Sequence, residues 1–169
     1  MKSTFISSLF TVVLCAASMG CAATTDAESE IDSKETSSEL LPDEVRRFIN
    51  LATSQCMDSN SAGSAYTLGC NGGNYQIWNI HPWRDNTYEI KNIATGRCLA
   101  THGGPNYDND AYTAPCNKDD QLQSWYMNVY GNGTRRFSNQ ATGKCLDTHG
   151  GDLYTRPCND GDNERWLWN

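Results

Sequence analysis

Asn92-Ile-Ala-Thr-Gly-Arg-Cys98 is the middle copy of a phrase that occurs three times in this chain, and it decides the fold. The other copies are Asn50-Leu-Ala-Thr-Ser-Gln-Cys56 and Asn139-Gln-Ala-Thr-Gly-Lys-Cys145, which start 42 residues before it and 47 residues after it. A recurring period of this length indicates a repeat architecture, in which one copy cannot bury its own apolar face. We therefore expect three similar units that pack around a shared core.

Two further phrases follow each copy in the same order. Phrases that begin with Tyr-Thr and end with Cys-Asn span Tyr66–Asn71, Tyr112–Asn117 and Tyr154–Asn159. Phrases with Gln or Glu two residues before Trp span Gln76–Trp78, Gln123–Trp125 and Glu164–Trp166. Gly, Asn, Thr and Pro interrupt every stretch before a second helical turn can form, which argues against a helical array. The pattern predicts short strands and tight turns, with the three Trp side chains in the core.

Six of the eight cysteines lie in the repeats, two in each copy. The second cysteine follows the first by 14, 18 and 13 residues. Six cysteines allow fifteen pairings, but the recurring order favours one disulfide within each repeat. The favoured pairs are Cys56–Cys70, Cys98–Cys116 and Cys145–Cys158. In the chain-entropy model each disulfide stabilises the fold by about 3 kcal/mol.

The N-terminal residues have the pattern of an export signal. Lys2 precedes an apolar run, Phe5–Ala17, which is too short to span a bilayer as a stable helix and ends in small residues. We expect residues 1–20 to be a signal peptide. Export implies an oxidising compartment outside the cytoplasm, where disulfides persist.

Cys21 is the cysteine that the repeats and the apolar run leave over. Ser18-Met19-Gly20-Cys21 resembles a bacterial lipobox, although a lipobox prefers Leu where Ser18 stands. Lipidation of Cys21 implies an outer-membrane lipoprotein held to the membrane by its anchor. Cleavage near Ala22 or Ala23 instead implies a secreted protein.

Most of the negative charge lies between this signal and the repeats. The formal net charge is -7, and residues 22–47 hold eight acidic against three basic residues and no aromatic residue. Such a composition cannot bury enough apolar area to offset its ordering entropy, so we expect residues 21–47 to be a disordered tether. A short helix over Leu40–Ile49 is expected at its end. The net charge also argues against nucleic acid as a partner, because phosphate binding needs clustered Lys and Arg.

The Cys-Leu-Asp phrase of the third repeat, its variants Cys-Met-Asp and Cys-Leu-Ala in the first and second, and the recurring Cys-Asn and Gln-x-Trp phrases resemble those of the ricin B-type lectins, whose fold is the β-trefoil. The resemblance covers residues 48–169, with repeats over about 48–87, 88–134 and 135–169. It implies an all-β domain of three pseudo-symmetric repeats, each holding its own disulfide. Such an arrangement can close on itself and leave no exposed sheet edge.

The resemblance also implies where sugar would bind in the third repeat. Asp147 stands in the acid position and Asn163 in the amide position, and Glu164 replaces the usual Gln. Tyr154 and His149 are the candidate rings. A carboxylate accepts two hydroxyl hydrogen bonds, and an aromatic face packs against the C–H side of a pyranose. The same residues also have structural interpretations, in which the acid caps a turn and the Tyr packs in the core.

The first repeat is the second candidate, and the second repeat is expected to be structural. Candidate residues of the first repeat are Asp58, Tyr66, Asn74 and Gln76. In the second repeat Ala100 replaces the acid and Leu122 replaces the amide. We therefore expect shallow sites for galactose-type or related sugars in the third and first repeats. The galactose-binding pattern puts its aromatic residue where Arg156 stands, which leaves the particular sugar open.

An enzyme is not expected. The sequence has no nucleophile elbow, zinc-protease motif or phosphate loop, and no cofactor or metal site. His81, His102 and His149 lie in turn-like settings without a ligand-spaced partner. Two alternatives to a free-standing lectin remain: the receptor-binding subunit of a toxin or enzyme complex, with its own partner chain, and a trefoil that binds protein as a protease inhibitor does. Glycans are the expected partner.

Overall fold

A computed structural model describes residues 43–103 and 109–169. The expected signal peptide, Cys21 and the tether up to residue 42 lie outside the described residues. The strands of the first repeat are β1 (Glu44–Arg46), β2 (Phe48–Asn50), β3 (Cys56–Ser59), β4 (Ala65–Leu68) and β5 (Trp78–Pro82). The second repeat has β6 (Tyr88–Asn92), β7 (Cys98–Thr101), β8 (Asn109–Ala114) and β9 (Trp125–Val129). The third has β10 (Arg135–Asn139), β11 (Cys145–His149), β12 (Asp152–Arg156) and β13 (Trp166–Trp168).

Each repeat has one short 3-10 helix between its last two strands. These helices span Asn74–Gln76, Gln121–Gln123 and Asp162–Glu164. They end just before the core Trp, so they place the Gln or Glu of the Gln-x-Trp phrase. No helix of the described residues is long and apolar enough to cross a membrane.

The strands form a closed barrel and three hairpins, which together make the β-trefoil that the resemblance implied. Hairpins β3–β4, β7–β8 and β11–β12 come from one repeat each, and their second strands meet because β12 pairs with both β4 and β8. The remaining strands pair in sequence around the barrel, and β13 returns to β2 at Trp168 and Phe48. The all-β prediction is confirmed.

The helix expected over Leu40–Ile49 is wrong for the residues described. Arg47 alone separates β1 from β2, and this segment pairs with β5 on one side and β13 on the other. It closes the barrel, and the backbone hydrogen bonds offered by these neighbours outweigh a weak local preference for helix. Folded structure therefore begins by Glu44, ahead of the boundary at residue 48 drawn from the repeats.

The three Trp residues occupy equivalent places in one core. Trp78, Trp125 and Trp166 have no solvent exposure. Their indole Nε1 atoms donate to the backbone carbonyl of the residue after the first Cys of each repeat: Met57 (3.1 Å), Leu99 (3.0 Å) and Leu146 (3.4 Å). A buried indole N–H needs such a partner. The predicted core position of these residues is confirmed, and the bond explains why Trp recurs rather than Phe.

The predicted disulfides are also confirmed. Each repeat holds its own bridge, Cys56–Cys70, Cys98–Cys116 and Cys145–Cys158, with Cα–Cα distances of 5.1, 5.0 and 5.0 Å. The first cysteine of each pair is buried at the start of a hairpin. The bridge fixes the start of the hairpin to the segment that enters the 3-10 helix.

A buried Asn begins the phrase that recurs, and it organises the turn that follows. The Oδ1 atom of Asn139 accepts from the backbone N–H of Ala141 and Thr142 at 3.1 and 3.2 Å. Asn50 and Asn92 make the same bonds in their own turns. The fifth residue of each turn then adopts the left-handed region, with φ of 57° at Ser54, 65° at Gly96 and 67° at Gly143.

The first repeat is therefore strained where the other two are not. A non-glycine residue in the left-handed region costs about 1–2 kcal/mol, and Gly loses part of that advantage through its larger unfolded-state entropy. We predict that Ser54→Gly stabilises the domain by about 0.5–1 kcal/mol. Chemical unfolding monitored by Trp fluorescence measures this change.

Gly143→Ser is the matched control. An added Cβ at Gly143 meets no atom within 4 Å, so its cost is conformational rather than steric. It should destabilise the domain by a similar amount. Equal effects of the same sign from both variants would show that backbone strain is not the cause.

Candidate functional site

In each hairpin the acid position lies directly opposite the Tyr of the second strand. Asp58 pairs with Tyr66 across β3 and β4, and Asp147 pairs with Tyr154 across β11 and β12. Residues that face each other in an antiparallel pair have adjacent side chains. The structure thus brings together the acid and ring that the sequence singled out in the first and third repeats. In the second repeat the same register places Ala100 opposite Tyr112.

In the first repeat, Gln76 holds Asp58 in place. The buried Gln76 side chain donates from Nε2 to Oδ2 of Asp58 (2.8 Å) and to the carbonyl of Gly69 (3.0 Å), and its Oε1 accepts from Asn71 N (2.8 Å). One amide therefore serves three partners: two backbone groups and the buried carboxylate of Asp58. Gln76 has no solvent exposure, so it acts on a ligand only through Asp58.

Tyr66 lies over this carboxylate. Its hydroxyl donates to the carbonyl of Ser59 at 3.3 Å. Burial and the neighbouring negative charge of Asp58 raise the pKa of Tyr66, so the phenol stays protonated. Asn74 is exposed at the start of the 3-10 helix.

The second repeat keeps the scaffold but not the acid. Gln123 accepts from Asn117 N (2.9 Å) and donates to the carbonyl of Pro115 (3.1 Å), as Gln76 does for its own neighbours. The side chain of Ala100 offers no acceptor for the other Nε2 hydrogen of Gln123. Tyr112 stacks on His102 with ring centroids 4.4 Å apart.

The third repeat keeps the acid but changes the amide. Glu164 is fully buried, and its two oxygens accept from the backbone N–H of Asn159 (2.9 Å to Oε1) and Asp160 (3.2 Å to Oε2). Among the described residues, neither oxygen of Asp147 receives a well-aligned hydrogen bond. The Nε atom of Arg156 stands 4.0 Å from Oδ2 of Asp147. Asp147 is thus a buried carboxylate with unmet acceptor capacity.

Burial dominates the electrostatics of Asp147. It raises the pKa of the carboxyl, and the nearby Tyr154 hydroxyl, Arg156, the backbone N–H of Thr148 and His149 oppose that rise. The Tyr154 hydroxyl lies beside the carboxylate without the alignment of a full hydrogen bond. Burial and the charge of Asp147 in turn raise the pKa of Tyr154.

Both acids lie deeper than expected. The sequence predicts shallow sites in these two repeats, but Asp58 is 2% exposed and Asp147 is 1% exposed. The second strand of each hairpin covers them with its Tyr, a tertiary effect that alternation along one strand does not reveal. The outer layer of the third repeat consists of His149, which is exposed, and Tyr154 and Asn163, which are partly buried.

Asn163 has a role that sequence reasoning missed. Its Nδ2 atom donates to the carbonyl of Thr148, the residue after Asp147, at 2.6 Å. It therefore ties the 3-10 helix to the strand that carries the acid. Arg156 was also not among the expected site residues, although its position in place of an aromatic residue was visible in the sequence.

A cleft of about 550 Å³ opens where the three hairpins meet. Tyr66, Arg97, His102 and Tyr112 are among its lining residues, but neither Asp58 nor Asp147 is. The cleft is therefore next to the acid of the first repeat rather than over it. Tyr66 is shared by the cleft and that acid position.

Residues 44–168 match the family model of the ricin-type β-trefoil lectin domain. The match covers most of the chain, and the chain belongs to this family. Domains of the family are typically non-catalytic carbohydrate-binding modules. A comparison with curated proteins gives no significant match.

Solved structures agree on the fold. ThreeFoil, a designed threefold-symmetric protein, has a TM-score of 0.68 and 18% identity, over 73% of this chain and 96% of that one. A Macrolepiota procera ricin B-like lectin in complex with lactose has a TM-score of 0.65 and 14% identity, over 78% and 98%. A mosquitocidal holotoxin has a TM-score of 0.65 and 19% identity, over 77% of this chain but 17% of that one. At these identities the likeness shows the fold alone.

The contribution of the hydrogen bond between Gln76 and Asp58 to the free energy of unfolding can be measured, because the second repeat lacks this bond. We predict that Gln76→Ala destabilises the domain by about 1.5–3 kcal/mol more than Gln123→Ala, the range for a hydrogen bond to a charged group. Both variants lose the same backbone contacts, so the difference isolates the carboxylate. Equal losses in urea unfolding would mean that Asp58 does not depend on Gln76.

Proposed function

We propose that the domain binds galactose-type or related sugars through the third and first repeats. The observation that carries this proposal is the acid opposite a Tyr in these two hairpins, which the second hairpin lacks. The proposed sites comprise Asp147, His149, Tyr154 and Asn163, with Glu164 behind them, and Asp58, Tyr66 and Asn74, with Gln76 behind them.

The unmet acceptor capacity of Asp147 supports the third repeat as the main site. A buried carboxylate with few well-aligned donors is costly, and a ligand that brings hydroxyl groups reduces that cost. Asp147 is covered in the unbound protein, so Tyr154 or Arg156 has to turn aside when sugar enters. Part of the binding free energy is spent on that rearrangement, which favours weak single sites, on the order of 1 mM.

The class of sugar rests on family membership and on a neighbour. The Macrolepiota procera lectin of the same fold was solved with lactose, which contains a galactose residue. Arg156 stands where the galactose-binding pattern has an aromatic residue, and it is about half exposed. It would add two or more N–H donors beside the sugar instead of a flat apolar face, so the preferred sugar is one that is rich in acceptors at that edge.

Two sites on one rigid domain suit a surface that carries many glycans. Simultaneous engagement raises the apparent affinity by ~100-fold or more without new contacts. A lectin of this kind binds a glycan-coated surface well and a free monosaccharide poorly.

Asp147→Asn tests the third site. The substitution keeps the volume of the side chain and removes the charged acceptor, so we predict a loss of ~10–100-fold in affinity at that site with little loss of fold. Asp58→Asn should affect the first site alone. Isothermal titration with lactose and N-acetylgalactosamine measures both.

Asn163→Ala tests the amide position of the third site. Leu122→Ala is its matched control, because Leu122 stands at the equivalent place in the second repeat. Only Asn163→Ala should reduce binding. Unchanged affinity in both Asp variants would refute the site assignment. Absence of binding to any glycan on an array of diverse glycans would refute the proposed function.

A receptor-binding role in a toxin is the second candidate function. It is favoured by the structural match to one part of a mosquitocidal holotoxin. In that case the sugar sites would be the same, and a partner chain would carry the activity. Isolation of the native protein under mild conditions, followed by mass spectrometry of co-purifying chains, separates the two candidates.

We also propose that Cys21 is lipidated and that the acidic segment after it holds the domain away from a membrane. One acyl chain gives only marginal membrane binding, whereas several chains hold firmly. We predict that wild-type protein fractionates with membranes and that Cys21→Ser moves it to the soluble fraction. A soluble wild-type protein that begins after Ala22 or Ala23 would contradict lipidation.

A further inference from the structure

Buried hydroxyl groups join the hairpins where the repeats meet. The hydroxyls of Thr67 and Thr148 lie 2.9 Å apart and join the first repeat to the third. Those of Thr155 and Thr101 lie 2.8 Å apart and join the third repeat to the second. In both pairs, one Thr directly follows the Tyr of a second strand, and the other is the third residue after the first Cys of its repeat. The threefold arrangement therefore predicts one further pair, between the second repeat and the first.

This third pair is not formed. Its members are Thr113, which follows Tyr112, and Ser59, which is the third residue after Cys56. Both side chains are 1% exposed, and neither hydroxyl has a hydrogen-bond partner among the described residues. Because a buried hydroxyl without a partner is costly, the boundary between the first and second repeats holds two polar groups whose hydrogen-bonding capacity is unmet.

The cleft of about 550 Å³ opens beside this boundary. Thr113 is among the residues that line it, together with the run Ala62–Tyr66 of the first hairpin and the run Asp110–Tyr112 of the second. Two of the lining positions, Ala65 and Ala111, carry small side chains where the third repeat has a Leu. The volume of the cleft is within the range of pockets that bind small molecules.

The lining groups suit a ligand that carries several hydroxyl groups. The exposed carboxylates of Asp110 and Asp152 accept hydrogen bonds from hydroxyls, and the hydroxyl of Thr113 both donates and accepts. The half-buried rings of Tyr66 and Tyr112 are the kind of apolar surface that packs against the C–H side of a sugar. The cleft thus combines hydrogen-bonding groups with aromatic walls.

The charges of the cleft argue against an ionic ligand. The two carboxylates disfavour an anion, and Arg97 disfavours a cation. Arg97 also serves the fold, because its Nε and Nη2 atoms donate to the carbonyl of Thr113 at 3.1 and 2.7 Å. The ring of His102 is stacked on Tyr112, with centroids 4.4 Å apart. A saccharide unit fits these conditions, since it offers hydroxyl groups, an apolar C–H face and no charge.

We propose that the cleft is a saccharide subsite that continues the site of the first repeat. Tyr66 belongs to both, because it faces Asp58 across the hairpin and also lines the cleft. The inference rests on the proposed function and makes the ligand of the first repeat an oligosaccharide, with its end at Asp58 and its next units in the cleft. Neither Asp147 nor Tyr154 lines the cleft, so the third site does not gain from a longer chain in this way.

The length of the glycan chain tests the subsite. Isothermal titration in an Asp147→Asn background, where the first site remains, compares lactose with lacto-N-neotetraose, a neutral tetrasaccharide that ends in galactose. We expect the tetrasaccharide to bind roughly 10-fold more tightly, which corresponds to one or two net hydrogen bonds in the cleft. In an Asp58→Asn background, where the third site remains, we expect the two ligands to bind with similar affinity.

Ala62→Trp blocks the cleft from an exposed position in the turn of the first hairpin. In the Asp147→Asn background it should reduce the affinity for the tetrasaccharide to that for lactose and leave lactose binding unchanged. Leu68→Trp is the matched control, because Leu68 is exposed in the same hairpin but does not line the cleft. A preference for the tetrasaccharide that survives Ala62→Trp places the extra contacts elsewhere and refutes the subsite.

Thr113→Val tests the unmet hydroxyl. It removes a hydroxyl that has no partner in the fold, so the melting temperature should stay the same or rise, while the affinity for the tetrasaccharide falls by about 2–10-fold, the loss of one hydrogen bond. Thr155→Val is the matched control. It breaks the pair with Thr101, so it should lower the melting temperature and leave binding at the first site unchanged. Equal falls in melting temperature would show that the Thr113 hydroxyl has a partner in the fold and would overturn this part of the inference.

Nuclear magnetic resonance of the wild-type protein needs no variant. The tetrasaccharide should shift the amide signals of Ser64, Asp110 and Thr113 in the cleft, and lactose should leave them in place. If both sugars bind and neither shifts these signals, the subsite is refuted and the proposed function stands. If no glycan binds at all, the proposed function is refuted, and the subsite with it.

Discussion

The structure depends on three buried Asn side chains that link each repeat to the one before it. Nδ2 of Asn92 donates to the carbonyl of Tyr75 (2.7 Å), Nδ2 of Asn139 to that of Leu122 (2.9 Å), and Nδ2 of Asn50 to that of Asn163 (2.8 Å). The last bond joins the first repeat to the third, so that each repeat is linked to both of the others. Each acceptor carbonyl belongs to a 3-10 helix, one residue before the Gln or Glu. The helix that supports the acid position is therefore held from two sides, by its own disulfide and by the Asn of the following repeat.

One scaffold consequently carries three different chemistries. The disulfide, the core Trp and the linking Asn recur in every repeat, so the slot behind the acid position keeps its shape. The residue in the acid position and its support vary. Asp58 accepts a hydrogen bond from the amide of Gln76, Ala100 needs no donor, and in the third repeat, which has Asp147, a second acid, Glu164, replaces the Gln. Because the fold is fixed by groups away from these positions, we expect a change there to alter the local chemistry more than it alters folding. The threefold arrangement thus provides internal controls for each site.

Much of the fold was predictable from sequence, because each recurring phrase contains the physics of its own local structure. Thr95-Gly96 predicts a turn, Cys98 and Cys116 predict a bridge within the repeat, and the Trp of each Gln-x-Trp phrase predicts a core position. The barrel closure by β1 was not predictable, since residues 44–46 gain their partners from β5, more than thirty residues away. The depth of Asp58 and Asp147 was hidden because the Tyr of the paired strand covers each acid, which the pattern along one strand does not reveal. The role of Asn163 towards Thr148 likewise depends on a contact between distant segments, and the sugar-binding roles of all these residues remain predictions.

The contact between the first and last strands of the domain has a consequence for the order of the repeats along the chain. Arg47 N donates to the carbonyl of Asn169 at 2.7 Å, and Asn169 N donates to that of Arg47 at 3.0 Å. The two ends of the folded domain are therefore hydrogen-bonded neighbours, and the repeats form a ring with one interruption. Joining these ends with a short linker and opening the chain at the exposed turn of Asp85 and Asn86 would give a circular permutant that begins with the second repeat. Every interface between repeats would be kept, and only the order in which the ribosome makes them would change.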